Sequence, residues 1–189
     1  MRIFHIHSSG VQELTALPAQ MPAQGFLWIA CARPAFQARL AEIQGGLQAL
    51  IGLQLVDLHV SDLLNAQLPS HYDYTSQYDL LVFRRLATLN GGAAEPSPAA
   101  APASGNPPKR SGPPVLRRID TSPVGFAVFD QLLLTVHPAD CAVRDAYAAR
   151  LLASLPASTS EGRSSPMPGA RVPTSPADLM LRVVNQMVD

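Results

Sequence analysis

The sequence predicts an α+β or mixed α/β fold, a β-sheet with helices packed on it. Three observations carry this. Short apolar runs of strand length recur along the chain. Stretches with helical 3.6-residue periodicity separate or follow them. Their order is strands, helix, strands, helix, helix.

The elements follow in chain order. Arg2 to His7 alternates polar and apolar residues, as a strand does. Phe26 to Cys31 is a short apolar strand. Pro34 then opens a helix over 34–50, with Phe36, Leu40, Ile43, Leu47 and Leu50 on one face. Gly45 and Gly46 weaken its middle by about 1 kcal/mol each relative to Ala. Ser61 to Gln67 reads as a brief helical turn stopped near Pro69, and Tyr78 to Leu86 as a strand rich in buried residues. Val115 to Ile119, Val124 to Phe129 and Leu132 to Val136 read as three more strands. The last two are joined by a tight connection at Asp130-Gln131, which lacks the favoured glycine. Asp140 to Leu155 is a second amphipathic helix, with Val143, Tyr147, Leu151 and Leu152 inward.

The last helix has a start signal and no stop signal. Ser175 is placed to cap it, Pro176 takes the first helical position, and Asp178 completes an S-x-x-D capping box. Two apolar rows follow, Leu179/Val183/Met187 and Met180/Val184/Val188. Neither Gly nor Pro ends it, and Asp189 puts a negative charge where a helix C-terminus disfavours one. The expectation is that the native protein continues beyond residue 189.

Composition narrows the function classes. The 189 residues are 47% hydrophobic and 15% charged, which suits one domain with a real core. A net charge of zero and few aromatics argue against a nucleic-acid surface, and neutrality argues against electrostatic membrane binding. Cys31 and Cys141 have no metal-type spacing and form no disulfide framework. The N-terminus is not a signal peptide, and no apolar run reaches spanning length. Residues 91–114 are almost all Pro, Ala, Gly and Ser. They read as a flexible or polyproline-like insertion that limited proteolysis cuts first. Residues 156–173 form a second loose stretch.

The chemistry-bearing residues are sparse. His5-x-His7 puts two rings on one strand face, half of a zinc site, but no third ligand follows at matching spacing. The pair therefore reads as two polar positions of a half-exposed strand. His137 and Cys141 are four apart, but Pro138 breaks the register between them, so they read as structural. Ser8-Ser9-Gly10 and Ser164-Ser165 lack a nucleophile elbow. Arg84-Arg85 could hold an anion, but reads better as one inward and one outward side chain at a sheet edge. No phosphate loop, dinucleotide fingerprint, zincin helix or EF-hand loop is present, so the motifs do not indicate an enzyme.

Residues 57–86, DLHVSDLLNAQLPSHYDYTSQYDLLVFRRL, change the weighting. They resemble the cytoplasmic domain of CorA-type magnesium transporters and the related ZntB zinc transporters. In that family a short helix with an acidic residue and an L-N-like pair precedes Pro, a polar tract and a strand. Trp28-Ile29 resembles an early strand of the family, VGFAVFDQLLLTVHP at 124–138 its hairpin, and SPADLMLRVVNQMVD the helix leading into its stalk. The resemblance spans most of residues 1–189 outside the 91–114 insertion.

The resemblance implies a single α/β/α cytoplasmic domain, 1–189, ending in the start of a long stalk helix. The full-length protein would be a homopentamer in the cell inner membrane, with this domain on the cytoplasmic side. Two membrane helices would hold it there, and they and the Gly-Met-Asn pore motif would lie beyond residue 189. The domain would sense a divalent cation, Mg²⁺ above others, and gate the pore without catalysis. Asp62 matches the family carboxylate that holds a regulatory ion between protomers. Ser61 stands where the family often has a second acid, and Asn185 where some members have Asp. Without its stalk, the chain is expected to be a monomer or weak oligomer. Two alternatives come from other classes: a soluble α/β enzyme or ligand-binding domain using the His5/His7 face, and an interaction module that docks a partner on the insertion.

Overall fold

The structure, a computed structural model, describes residues 1–86, 121–139, 141–153 and 172–188. Seven strands form one sheet in the order β2-β1-β3-β7-β6-β5-β4. These are β1 (Arg2–His7), β2 (Gly10–Leu14), β3 (Phe26–Ala32), β4 (His71–Tyr74), β5 (Asp79–Leu86), β6 (Thr121–Val128) and β7 (Leu132–His137). Only β3 and β7 pair in parallel, with Leu27 opposite Leu132 and Cys31 opposite Val136. The sheet is thus two antiparallel meanders fused along one parallel seam.

Alternation along the strands builds two cores. One face carries Leu27, Ile29, Leu80, Ala127, Leu132 and Leu134. It is covered by α1 (Arg33–Ala38), α2 (Leu40–Ile51) and α3 (Asp57–Leu64) through Phe36, Ile43, Leu47 and Leu63. The other carries Phe4, Ile6, Trp28, Phe126 and Leu133. It is covered by α4 (Ala142–Ala153) and α5 (Pro176–Val188) through Tyr147, Leu151, Leu179 and Val183. The result is the α/β/α sandwich. Trp28 stacks on Phe4 at 4.8 Å and meets the edge of Tyr147 at 6.3 Å. Its indole N–H donates to Thr135 Oγ1 at 3.1 Å, which satisfies the polar atom of the largest buried side chain.

Several sequence expectations need correction. The helix over 34–50 is two helices, broken at Arg39 (φ −112°, ψ 19°), which caps α1 through its N–H on Ala35 O. Phe36 and Ile43 still face one core, so the apolar period runs across the break and conceals it. The helical turn over 61–67 is the end of a longer α3 that starts at Asp57. Strands β2 and β4 were not expected. Both lie at the sheet edges, where one face is solvated and the apolar signal is weak. The hairpin at Asp130-Gln131 is present, closed by Phe129 N–H donating to Leu132 O at 2.9 Å. Tyr147 and Leu151 are buried on α4, and Leu152 is half-buried. The strand over 115–119, the insertion 91–114, Ser164-Ser165 and the Val143 side chain lie outside the described residues.

The start of α5 follows its sequence signal. Ser175 Oγ accepts the Asp178 N–H at 3.1 Å. Asp178 reaches back to the Thr174 N–H at 3.0 Å, one residue before the cap, and holds Arg182 one turn on at 2.8 Å. Leu179 and Val183 are buried, Met180, Val184 and Met187 half-buried, and Leu181 and Val188 exposed. No helix among the described residues is long and apolar enough to cross a membrane.

Candidate functional site

Asp62 sits on α3 where the helix comes down onto β6. Gly125 permits this approach: a Cβ there would lie 2.3 Å from Leu63 Cδ2. Arg33 ties the end of α3 to the sheet, donating from Nε to Leu63 O at 3.2 Å and from Nη2 to Pro123 O at 2.8 Å. Burial pushes its guanidinium below the usual arginine range. Asn65, of the L-N pair, follows the helix, and its side chain accepts the Gln67 N–H at 2.9 Å. The polar tract then turns back to the sheet edge. Ser70 Oγ accepts the Arg84 N–H at 2.9 Å, and Leu68 O accepts from Arg84 Nη1 at 2.9 Å. Arg84 therefore anchors this loop. The Arg85 side chain lies outside the description.

The Asp62 side chain is only 17% exposed, and its Oδ2 lies 3.6 Å from His71 Nε2 on β4. Among the described residues, no three His, Cys, Asp or Glu side chains converge as a set that could hold a metal ion. Asp62 and His71 are the two such side chains that meet here. Ser61 and Asn185 are both exposed and bring no acid to Asp62.

Sequence reasoning missed a polar network one turn away. His59, on the same helix, is buried. Its Nδ1 lies 2.7 Å from the Tyr78 hydroxyl and its Nε2 lies 3.2 Å from Asp73 Oδ2. The Val56 N–H donates to the same hydroxyl at 3.1 Å. On a neutral ring, the Asp73 carboxylate accepts from Nε2–H and the Tyr78 hydroxyl donates to Nδ1. Asp73 also accepts the Tyr74 N–H at 2.7 Å. That bond first, and His59 second, hold its carboxyl below the usual range. Burial pushes the Tyr78 phenol up. The network stitches α3 and β4 to the turn that leads into β5. The only sequence signal was a histidine on the apolar face of α3.

The other candidates separate. His137 is buried at the end of β7, donating from Nδ1 to Pro138 O and accepting from Arg144 Nη1, both at 2.7 Å. Cys141 is a buried free thiol, so His137 and Cys141 are structural. Cys31 is buried as well, and desolvation pushes its thiol up to about 11, away from nucleophilic use. His5 and His7 do come together, with ring centroids 4.9 Å apart.

No family model and no curated protein matches the sequence. Solved structures do. The cytoplasmic domain of ZntB from Vibrio parahaemolyticus RIMD 2210633 aligns at a TM-score of 0.59 and 13% identity, over 99% of this chain and 57% of that one. The soluble domain of CorA from Methanocaldococcus jannaschii aligns at 0.53 and 15%, over 98% and 55%. This chain has the fold of the CorA and ZntB soluble domains. The full-length CmaX protein aligns at 0.59 and 13%, over 100% of this chain and 45% of that one. The chain spans about half the length of these structures. Within the CorA/ZntB fold described here, Asp62 lies on α3, between the sheet and solvent.

Proposed function

We propose that residues 1–189 are the cytoplasmic regulatory domain of a CorA-like divalent-cation transporter, and that Mg²⁺ is the ion sensed and carried. One observation supports this most: the likeness to the ZntB cytoplasmic and CorA soluble domains runs over 98–99% of the chain and does not stop at a motif. The role is gating, not catalysis. Asp62 contributes one carboxylate to an ion bridging neighbouring protomers of a homopentamer. Mg²⁺ takes oxygen ligands and keeps several waters, so one carboxylate per subunit is enough when a neighbour faces it. Bound ions favour the closed symmetric state because they bridge protomers only there, and their loss frees the assembly to open. The domain lies on the cytoplasmic side of the inner membrane, joined to the membrane helices through α5.

The test uses the complete reading frame. The full-length protein, purified as an oligomer, should melt higher in millimolar Mg²⁺, since an ion that binds only the assembled form stabilises it. Asp62→Ala should shrink that shift. An unchanged shift would leave Asp62 a surface acid. A stop codon directly after Asp189 would defeat the transport reading itself.

A further inference from the structure

We infer that His5 and His7 form a chelating site for one borderline divalent ion, Zn²⁺, Ni²⁺ or Cu²⁺, through Nδ1 of His5 and Nε2 of His7. The site goes beyond the function proposed above and does not rest on it. β1 and β4 lie five strand spacings apart in the sheet, roughly 24 Å, so this pair is remote from Asp62.

The strand period puts both rings on one face, and they sit with centroids 4.9 Å apart and planes at 42°. Both residues are half-buried, so the pair is held yet reachable. His7 lines an open groove of about 500 Å³ together with Ser8, Gln24 and Thr174.

The surroundings set the proton of His5 and allow the matching arrangement on His7. His5 Nε2 lies 2.8 Å from Gln24 O. A carbonyl only accepts, so Nε2 carries the hydrogen and the neutral ring keeps its lone pair on Nδ1. His7 Nδ1 lies 2.7 Å from Ser9 Oγ. With Nδ1–H donating to that hydroxyl, its lone pair sits on Nε2. Metal-binding histidines are arranged this way, with the second ring nitrogen donating to a carbonyl or hydroxyl that orients the first.

The carbonyl is there because of a glycine. Gly25 has φ +80°, and a Cβ on it would lie 2.0 Å from Ile6 O and 2.9 Å from the His7 Cα. Only glycine lets the backbone run this close over Ile6–His7, and this close pass brings Gln24 O to His5.

The donor set selects the ion. Two imidazoles with no carboxylate suit Zn²⁺, Ni²⁺ and Cu²⁺, and do not suit Mg²⁺ or Ca²⁺. Two nitrogens about 2.0–2.1 Å from one ion sit roughly 3.3 Å apart, within reach of rings at this spacing. Water fills the remaining positions. Of the other three histidines, His59 and His137 are buried, and His71 is paired with Asp62 on the far part of the sheet.

The experiment is calorimetric titration of the 189-residue chain with NiCl₂ and ZnCl₂. One saturable site is expected. His5→Ala and His7→Ala should each weaken it at least tenfold, and Ser9→Ala by up to about tenfold through the orienting bond. His137→Gln, at a buried histidine remote from the pair in sequence, should leave it unchanged. Circular dichroism melts confirm that each variant folds. The unsubstituted chain loaded with one equivalent of Cu²⁺ should show hyperfine splitting from two imidazole nitrogens in its electron paramagnetic resonance spectrum. The proposal fails if the unsubstituted chain shows no saturable binding, if both histidine variants bind as it does, or if the spectrum lacks two-nitrogen coupling.

Discussion

Tyr78 holds a larger share of the molecule than its place just before β5 suggests. Its hydroxyl accepts from Val56 and donates to His59, and His59 holds Asp73 on the edge strand. Tyr78→Phe removes one oxygen and strands two partners, one of them on a fully buried ring. We expect a loss of about 1–3 kcal/mol, the cost of unpaired buried polar groups. Urea unfolding should show a lower midpoint at unchanged slope. An unshifted midpoint would mean that water replaces the hydroxyl. His137 gives a pH signature. Burial, aided by Arg144, lowers its ring from 6.5 to about 4. The folded state therefore holds it neutral where the unfolded chain takes up a proton. Its contribution is complete above pH 6.5 and is lost as pH falls towards 4, about 3 kcal/mol in all. His137→Gln cannot titrate, so its stability should decline less steeply over that window. Parallel decline of both proteins would refute the assignment. Neither network was legible in the sequence: the Tyr78 network joins residues 14–22 apart, and Arg144 meets His137 only because the chain turns back between β7 and α4. Asp62 could be placed only through its resemblance to a family, since a lone acid on a short helix carries no signal of its own.

At the level of elements, β1 was legible by its alternation, and the other legible strands were those buried on both sides. β3, β5, β6 and β7 read as apolar runs because helices cover both faces of the central sheet. The edge strands GVQEL and HYDY were missed because half of each faces solvent. The paired glycines of α2 show how little composition says about surroundings. A Cβ on Gly45 would meet nothing within 4 Å, whereas one on Gly46 would lie 2.5 Å from Leu17 Cδ1. Gly45→Ala should therefore stabilise the protein by up to about 1 kcal/mol, through helix propensity alone. Gly46→Ala should gain less, since Leu17 must move. Thermal melts of the two variants measure the difference, and equal shifts would show that Leu17 yields freely.

At the level of the whole molecule, α5 leaves Leu181 and Val188 exposed after its inner face is buried. Two exposed side chains make α5 by itself too small a surface to hold five subunits together. The chain alone should sediment as a monomer or a weak, concentration-dependent oligomer. A stable pentamer at micromolar concentration would show that this domain carries the assembly energy itself.

The strand order has a consequence for how the protein comes into being. Residues 1–86 contain β2-β1-β3 and β5-β4, two ribbons that share no edge. The hairpin Thr121–His137 fits between them as a keystone. While the ribosome is still short of that hairpin, the nascent chain holds two unfinished ribbons with open edges, the period of greatest exposure to misassembly. The same topology makes the protein divisible. Halves separated within 91–114 and produced together should assemble into one cooperatively melting domain, each useless without the other. A first half that melts cooperatively by itself would show that the keystone is dispensable.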